Sequence, residues 1–149
     1  MEAAIDLHIH SALSPCGGDD MTPNNIVNMA LLNGLHAIAI TDHNSCDNVE
    51  AVMRVAKDRL VVVPGMELQT REEVHLLAYF NELSSLYAFR TQMEQFYDGI
   101  PNNPNFFGHQ WIMNEGDEII GEKQQSLLTS LALSFDDTVE LIRKYQGPL

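Results

Sequence analysis

Basic residues are scarce: 8 lysines and arginines stand against 21 aspartates and glutamates, a formal charge of −13 over 149 residues. Tight sequence-independent binding to nucleic acid relies on Lys and Arg to neutralise phosphates, so this balance argues against it. It leaves a phosphorylated small substrate open, because bound divalent ions would reverse the local field. Cysteine is scarce as well, and two residues, Cys16 and Cys46, indicate no disulfide framework. No apolar run is long enough to span a bilayer, and the N-terminus "MEAAID" has no basic segment leading into an apolar stretch. The expectation is a cytoplasmic, reducing location without a membrane partner. Repeats, low-complexity tracts and linkers are missing too, so residues 1–149 read as one domain. With 45% hydrophobic and 19% charged residues, the chain can bury an ordinary core.

What is present alternates in the first half. Ala3 to Ile9 reads as a strand with Ile5, Leu7 and Ile9 on one face and Asp6, His8 and His10 on the other. Thr22-Pro23 supplies a cap and a first-turn proline, and Gly34 a stop, for a helix carrying Ile26, Met29, Ala30 and Leu32. His36 to Thr41 is a second strand. Ser45 caps an expected helix from about Cys46 to Asp58, "LVVVPG" is a third strand, and "EEVHLLAYF" a fourth. Strand, helix, strand, helix, strand predicts a parallel sheet with crossover helices. The second half is less regular. Leu83 to Tyr97 is expected to be helical, 98–107 a loop, and "GHQWIMNEGDEIIGE" a hairpin turning at Asn114 to Gly116. Gln124 to Ala132 is expected to be helical. Ser134 opens a last helix with Asp136 and Asp137 in its first turn, Arg143 and Lys144 in its last, and Gly147 at its end.

Histidines fall at the strand ends. His8 and His10 finish the first strand, His43 follows the second in "ITDHNS", Glu67 stands just past the third in "VPGMEL", and His75 lies on the fourth. Functional residues of parallel α/β sheets gather at that edge. Imidazoles and a carboxylate suit Zn²⁺, Mn²⁺ or Fe²⁺, and a carboxylate can bridge two ions. A single His-x-His on a strand means little; convergence at four successive strands points to a metal site. His36 and His109 read as surface or structural histidines, the latter beside Trp111. Both cysteines read as small packed residues, and Arg71 as either a phosphate ligand or a solvated charge.

"DLHIHS", "AITDHNS", "VPGMEL" and "VHLLAY", in this order, resemble the first motifs of the PHP (polymerase and histidinol phosphatase) superfamily, most closely its small stand-alone bacterial members with "SPCG" after the His-x-His. The resemblance implies a distorted (β/α)7 barrel with two or three metal ions and, in many members, phosphoester hydrolysis. It matches His8, His10, His43, Glu67 and His75 to metal ligands and Asp42 to a supporting carboxylate. Relatives often place an Asp or His shortly after the His-x-His; Cys16, Asp19 or Asp20 could take that slot here. His43 and Asp20 are accordingly the expected catalytic residues. The late His and Asp-x-His motifs of the family have no counterpart after His75, and the chain stops where another strand should begin. The expectation is therefore an incomplete barrel, the N-terminal part of a PHP protein: four βα units plus a hairpin and helical region.

The function this implies is a metal-dependent phosphoesterase acting on a phosphomonoester, nucleotide or oligonucleotide end. Its rival is a catalytically incomplete PHP fragment that self-associates or binds a partner over its open barrel edge. An amidohydrolase-type barrel also begins with His-x-His but adds a bridging lysine late in its strands. Lys57, Lys123 and Lys144 stand in helix or loop positions.

Overall fold

Local signals build the first units of the fold. In the computed structural model, which describes residues 1–146, strand β1 spans Ile5–Ile9 and helix α1 Pro23–Leu32. The Thr22 hydroxyl accepts from the Asn25 N–H at 3.3 Å, and Pro23 opens the first turn. At the other end Gly34 takes φ +72°. There Leu35 N–H reaches Ala30 O and Gly34 N–H reaches Leu31 O, the paired bonds of a Schellman stop. β2 follows at Ala37–Ile40, α2 at Val49–Ala56 and β3 at Val61–Gln69. β1, β2 and β3 pair in parallel, joined by α1 and α2 as crossover helices. The expected cap of α2 is not used: Ser45 Oγ bonds Asp47 instead, and the helix starts three residues later than expected, at Val49.

The fourth strand, β4 (His75–Tyr79), corrects the expected direction. It pairs antiparallel with β3, Glu67 opposite Leu77 and Gln69 opposite His75. Only a tight turn joins the two strands, with Thr70 N–H on Val74 O at 2.9 Å. A parallel return needs a crossover of a dozen or more residues, which this segment lacks. β3 also runs further than its apolar stretch, so Glu67 lies inside the strand rather than just past it.

Sheet order is β1-β2-β3-β4, and the sheet curls into a half-barrel. β1 and β4 are its two outer strands, yet the Tyr79 hydroxyl donates to Leu7 O at 2.8 Å across the concave face. The convex face carries the core: Ile38 and Ile40 of β2 and Met66 and Leu68 of β3 pack with Ile26 and Val27 of α1 and Val49 and Val52 of α2. Strand alternation then sends Glu67, between Met66 and Leu68, to the concave side. Helix α3 (Leu83–Met93) adds Leu86, Phe89 and Met93 to the core.

The remainder folds over the strand ends. A short α4 (Pro104–Phe107) interrupts the expected loop, and β5 (Trp111–Met113) with β6 (Ile119–Glu122) forms the expected hairpin. Asp117 in its turn accepts from Thr22 Oγ1 and from the backbone and side chain of Asn24, which fastens the hairpin to the start of α1. Residues 124–132 do not form the expected helix. Buried Gln110 takes the Leu127 N–H and donates to Lys123 O and Gln125 O, while Asn44 donates to Leu127 O and Thr129 O. These side chains hold backbone groups a helix would need. α5 (Phe135–Gln146) closes the described chain; Gly147, its expected terminator, lies outside the described residues.

Candidate metal centre

Three neighbouring strand ends and one hairpin partner put four imidazoles around one carboxylate. The β1–β2 register shifts between Asp6 and Ile9, an irregularity of the kind that re-aims side chains beside a site. The ladder continues beyond β2: Thr41 N–H meets Ile9 O, Glu67 N–H meets Asp42 O, and Asn44 N–H meets Glu67 O, so His43 stands beside Glu67 in a parallel bridge. Asn44 has φ +47° and its side-chain oxygen receives the Gln69 N–H. Because β4 turns straight back, His75 arrives diagonally across from Glu67 on the same face.

The carboxylate of Glu67 is buried at 5% exposure. Its Oε2 lies 3.0 Å from His8 Nε2, 3.0 Å from His10 Nε2 and 3.7 Å from His43 Nδ1; its Oε1 lies 2.8 Å from His75 Nδ1. His8 Nε2 and His10 Nε2 are themselves 3.2 Å apart, and the rings of His10 and His43 stack at 4.6 Å. Burial by itself would raise the Glu67 carboxyl. Hydrogen bonds from His8 and His75 and the charges of His43 and His10 outweigh it and hold the group below its ordinary value. Burial is the chief cause holding the His10 and His43 imidazoles below their ordinary 6.5, against the opposing charge of Glu67.

This arrangement fits a divalent cation better than it fits itself. Three nitrogens crowd one oxygen, and the Nδ1 atoms of His10 and His43 are buried without any hydrogen-bond partner. Buried polar atoms in native proteins are nearly always paired, so an orphaned nitrogen needs an occupant. Three triads have ligand atoms within 4.8 Å of one another: His8, His10 and Glu67; His43, Glu67 and His75; and His10, Cys16 and His43. Each pair of triads shares one residue.

The supporting carboxylate, Asp42, works through the backbone around the site. Asp42 is fully buried and accepts from Ser11 N–H at 2.7 Å, Ser11 Oγ at 2.6 Å and Ser14 Oγ at 2.7 Å. It clamps the loop after β1 rather than an imidazole. Ser14 Oγ in turn accepts the His43 N–H at 3.1 Å. Asn48 ties this loop to the hairpin, donating to Ser11 Oγ and Trp111 O and accepting from Met113 N–H. Ser11, Ser14, Asn44 and Asn48 were not legible as site residues. Their single signal was burial of polar side chains, which only the fold reveals.

Other candidates separate cleanly. Asp20 and Asp19 join none of the triads; both are exposed, and Asp20 lines a groove of about 880 Å³ with Ile5, Ile9 and Met29 beside α1. His109 stacks on Trp111 at 4.2 Å and lies 2.9 Å from Glu122, away from the cluster. His36 Nδ1 accepts the Ala4 N–H. The Arg71 side chain is 67% exposed and lies 3.8 Å from Glu72. The cysteines part company: Cys46 is in the core, its thiol pushed up to about 12 by burial, whereas Cys16 is exposed at the cluster.

The PHP domain family matches this chain over residues 6–145. The chain belongs to the PHP domain family. An uncharacterised protein of Methanocaldococcus jannaschii is 30% identical to it over 96 residues, covering 64% of this chain and 12% of that protein. The crystal structure of the lesion-specific endonuclease PfuEndoQ from Pyrococcus furiosus superposes on 97% of this PHP domain with a TM-score of 0.70 and 19% identity, using 33% of the endonuclease. A candidate metal-dependent phosphoesterase from Bifidobacterium adolescentis covers 65% of the chain with a TM-score of 0.49 and 22% identity, over 35% of its own length. The PHP chain thus spans about an eighth of the curated relative and about a third of each of these two solved structures.

Proposed function

We propose that His8, His10, His43, Glu67 and His75 bind divalent ions, zinc, manganese or iron, and that the centre hydrolyses a phosphoester: a phosphomonoester, or the end of a nucleotide or oligonucleotide. The observation that carries this is the convergence of four imidazoles on one buried carboxylate at an open, concave sheet edge. Membership of the PHP domain family supports metal-dependent hydrolysis. When bound, a pair of divalent ions supplies a water of near-neutral pKa and charge neutralisation on the phosphoryl oxygens.

The chain's own residues divide that work. Glu67 parts the cluster, Oε2 toward His8, His10 and His43 and Oε1 toward His75, so one carboxylate can serve two positions. His10 and His43, held neutral by burial, keep lone pairs free at neutral pH. His8 and His75 are about half exposed, which leaves their side of the cluster open to a substrate phosphate. His43 is the imidazole least committed to Glu67, and it is free to hold a third ion or a phosphate oxygen. Asp20 belongs to none of the ligand groups, so a catalytic part for it would be played from outside the cluster.

Metal analysis and turnover of p-nitrophenyl phosphate test this reading. Stoichiometric transition metal and activity that disappears in His8→Ala and Glu67→Ala are expected. Absence of bound metal, or activity indifferent to both substitutions, defeats it.

A second reading has its own observation. The outer edge of β1 pairs with no strand among the described residues, and Ile5 on it and Met29 beside it are exposed. Such an edge is a template for another strand, so the chain would act chiefly through a second copy or partner laid along β1. A monomeric mass in solution, together with full turnover by the chain alone, excludes it.

A further inference from the structure

We infer that Cys16 is a thiolate ligand of the metal centre, set with His10 and His43 around an outer position, and that it makes this position prefer a thiophilic ion such as Zn²⁺ over Mn²⁺. The inference rests on the proposed metal centre and adds to it a residue and a selectivity. Two independent observations carry it. The Cys16 sulfur and one nitrogen each from His10 and His43 lie within 4.8 Å of one another. Separately, His10 Nδ1 and His43 Nδ1 are buried without hydrogen-bond partners, the latter 3.7 Å from Glu67 Oε2, so both rings retain a nitrogen that no protein group satisfies.

The backbone is built to bring the sulfur there. Pro15–Gly17 forms a 3-10 turn that folds back on the end of β1. A Cβ on Gly17 would lie 2.6 Å from Ser11 O and 3.2 Å from His10 O, so only glycine permits this approach. The preceding residue, Ser14, is fastened to Asp42 and to the His43 N–H. Cys16 is therefore held between two residues fixed on the strands that carry its partners. It is not a packing residue, because it is exposed while Cys46 sits in the core.

Ligand counting gives the thiolate its role. A neutral imidazole offers one lone pair. His10 faces both this position and the one lined by His8 and Glu67 and has one lone pair to give, so Cys16 supplies the outer position with a second undivided ligand beside His43. Binding exchanges the S–H bond for a sulfur–metal bond and releases one proton to solvent. Thiolate favours zinc, whereas carboxylate and water suit manganese.

Cobalt(II) titration of the full chain tests this. Wild type should develop a near-ultraviolet sulfur-to-cobalt charge-transfer band, lost in Cys16→Ser while the visible bands of cobalt on nitrogen and oxygen ligands persist. In Cys16→Ser, the Zn²⁺ to Mn²⁺ preference should fall by ~10-fold or more, the scale on which metal sites respond to altered surroundings. Cys16→Asp should restore stoichiometry without the band. In unmutated protein, Zn²⁺ should slow labelling of the single exposed thiol by Ellman's reagent, a readout independent of how any variant folds. Visible bands without the charge-transfer band, or labelling indifferent to Zn²⁺, overturn the role of Cys16 and leave the metal centre standing. No cobalt bands of any kind overturn both.

Discussion

Glu67 Oε1 stands 2.8 Å from His75 Nδ1 across the β3–β4 hairpin, while Oε2 of the same carboxylate faces His8 and His10 at 3.0 Å. One side chain thus joins residues from β1 and β4, the two outer strands of the sheet. Glu67→Gln keeps the shape but removes the charge and one acceptor. Expected is a loss of bound metal and a fall in turnover exceeding the ~10–100-fold that follows loss of an outer partner. Metal content by mass spectrometry alongside phosphatase kinetics checks it; wild-type stoichiometry in the variant would mean that the carboxylate is not a shared ligand.

Asp42 is the next test, because it supports the site without belonging to it. Three donors from Ser11 and Ser14 meet its carboxylate in a fully buried place. In Asp42→Ala those donors lose their acceptor, at a cost of ~1–3 kcal/mol for a buried polar group left unmade. A total loss of about 3 kcal/mol is expected in urea unfolding, with metal affinity weakened because the loop carrying Cys16 and the His43 N–H contact loosens. Asp42→Asn should cost less, since it keeps one acceptor oxygen. Equal stability of wild type and Asp42→Ala would show that the clamp contributes nothing.

Gly17 gives a prediction that separates loop position from ligand chemistry. Gly17→Ala puts a methyl group against Ser11 O at 2.6 Å, and either the turn or the end of β1 must move. Cys16 remains in the chain but leaves His10 and His43. The variant should behave toward cobalt as Cys16→Ser does, with the charge-transfer band lost and its thiol labelled rapidly even with Zn²⁺ present. An unchanged band would place the thiol's approach under the control of something other than this glycine.

Much of this was legible in the sequence for identifiable reasons. Thr22-Pro23 and Gly34 marked α1 because caps are written in single residues and act locally. The five residues His8, His10, His43, Glu67 and His75 could be grouped because strand ends of a parallel unit share an edge, and the structure does bring them together. The direction of β4 was hidden, since alternation marks a strand but not its sense. The short link between β3 and β4 carried that information. The 124–132 segment, expected to be helical, is held open by Gln110 and Asn44, which are distant in sequence. Cys16, Asp19 and Asp20 could not be ranked for the slot after the His-x-His: residue type favours a carboxylate, whereas the turn fastened by Ser14 and Gly17 brings the Cys16 sulfur within 4.8 Å of ring nitrogens of His10 and His43.

Titration of the imidazoles supplies the last prediction. Burial holds His10 and His43 below 6.5 in the folded, metal-free chain. Unfolding returns them to 6.5, so between their folded midpoints and 6.5 the unfolded chain carries more protons. Their contribution to stability is complete above 6.5 and is lost as pH falls through the folded midpoints. Asp42 has the opposite sign. Raised by burial above 3.8, it favours the fold at low pH and loses that contribution as pH rises through its folded value. Melting temperature mixes the two effects, whereas imidazole resonances in nuclear magnetic resonance spectra do not. In the presence of a chelator, His10 and His43 should titrate below 6.5. Zinc should bind these two residues above 6.5 without displacing protons from them, because neutral imidazole is already the binding form. Midpoints above 6.5 would show that the charge of Glu67, not burial, governs the cluster, and zinc uptake near neutral pH would then have to expel protons from both imidazoles.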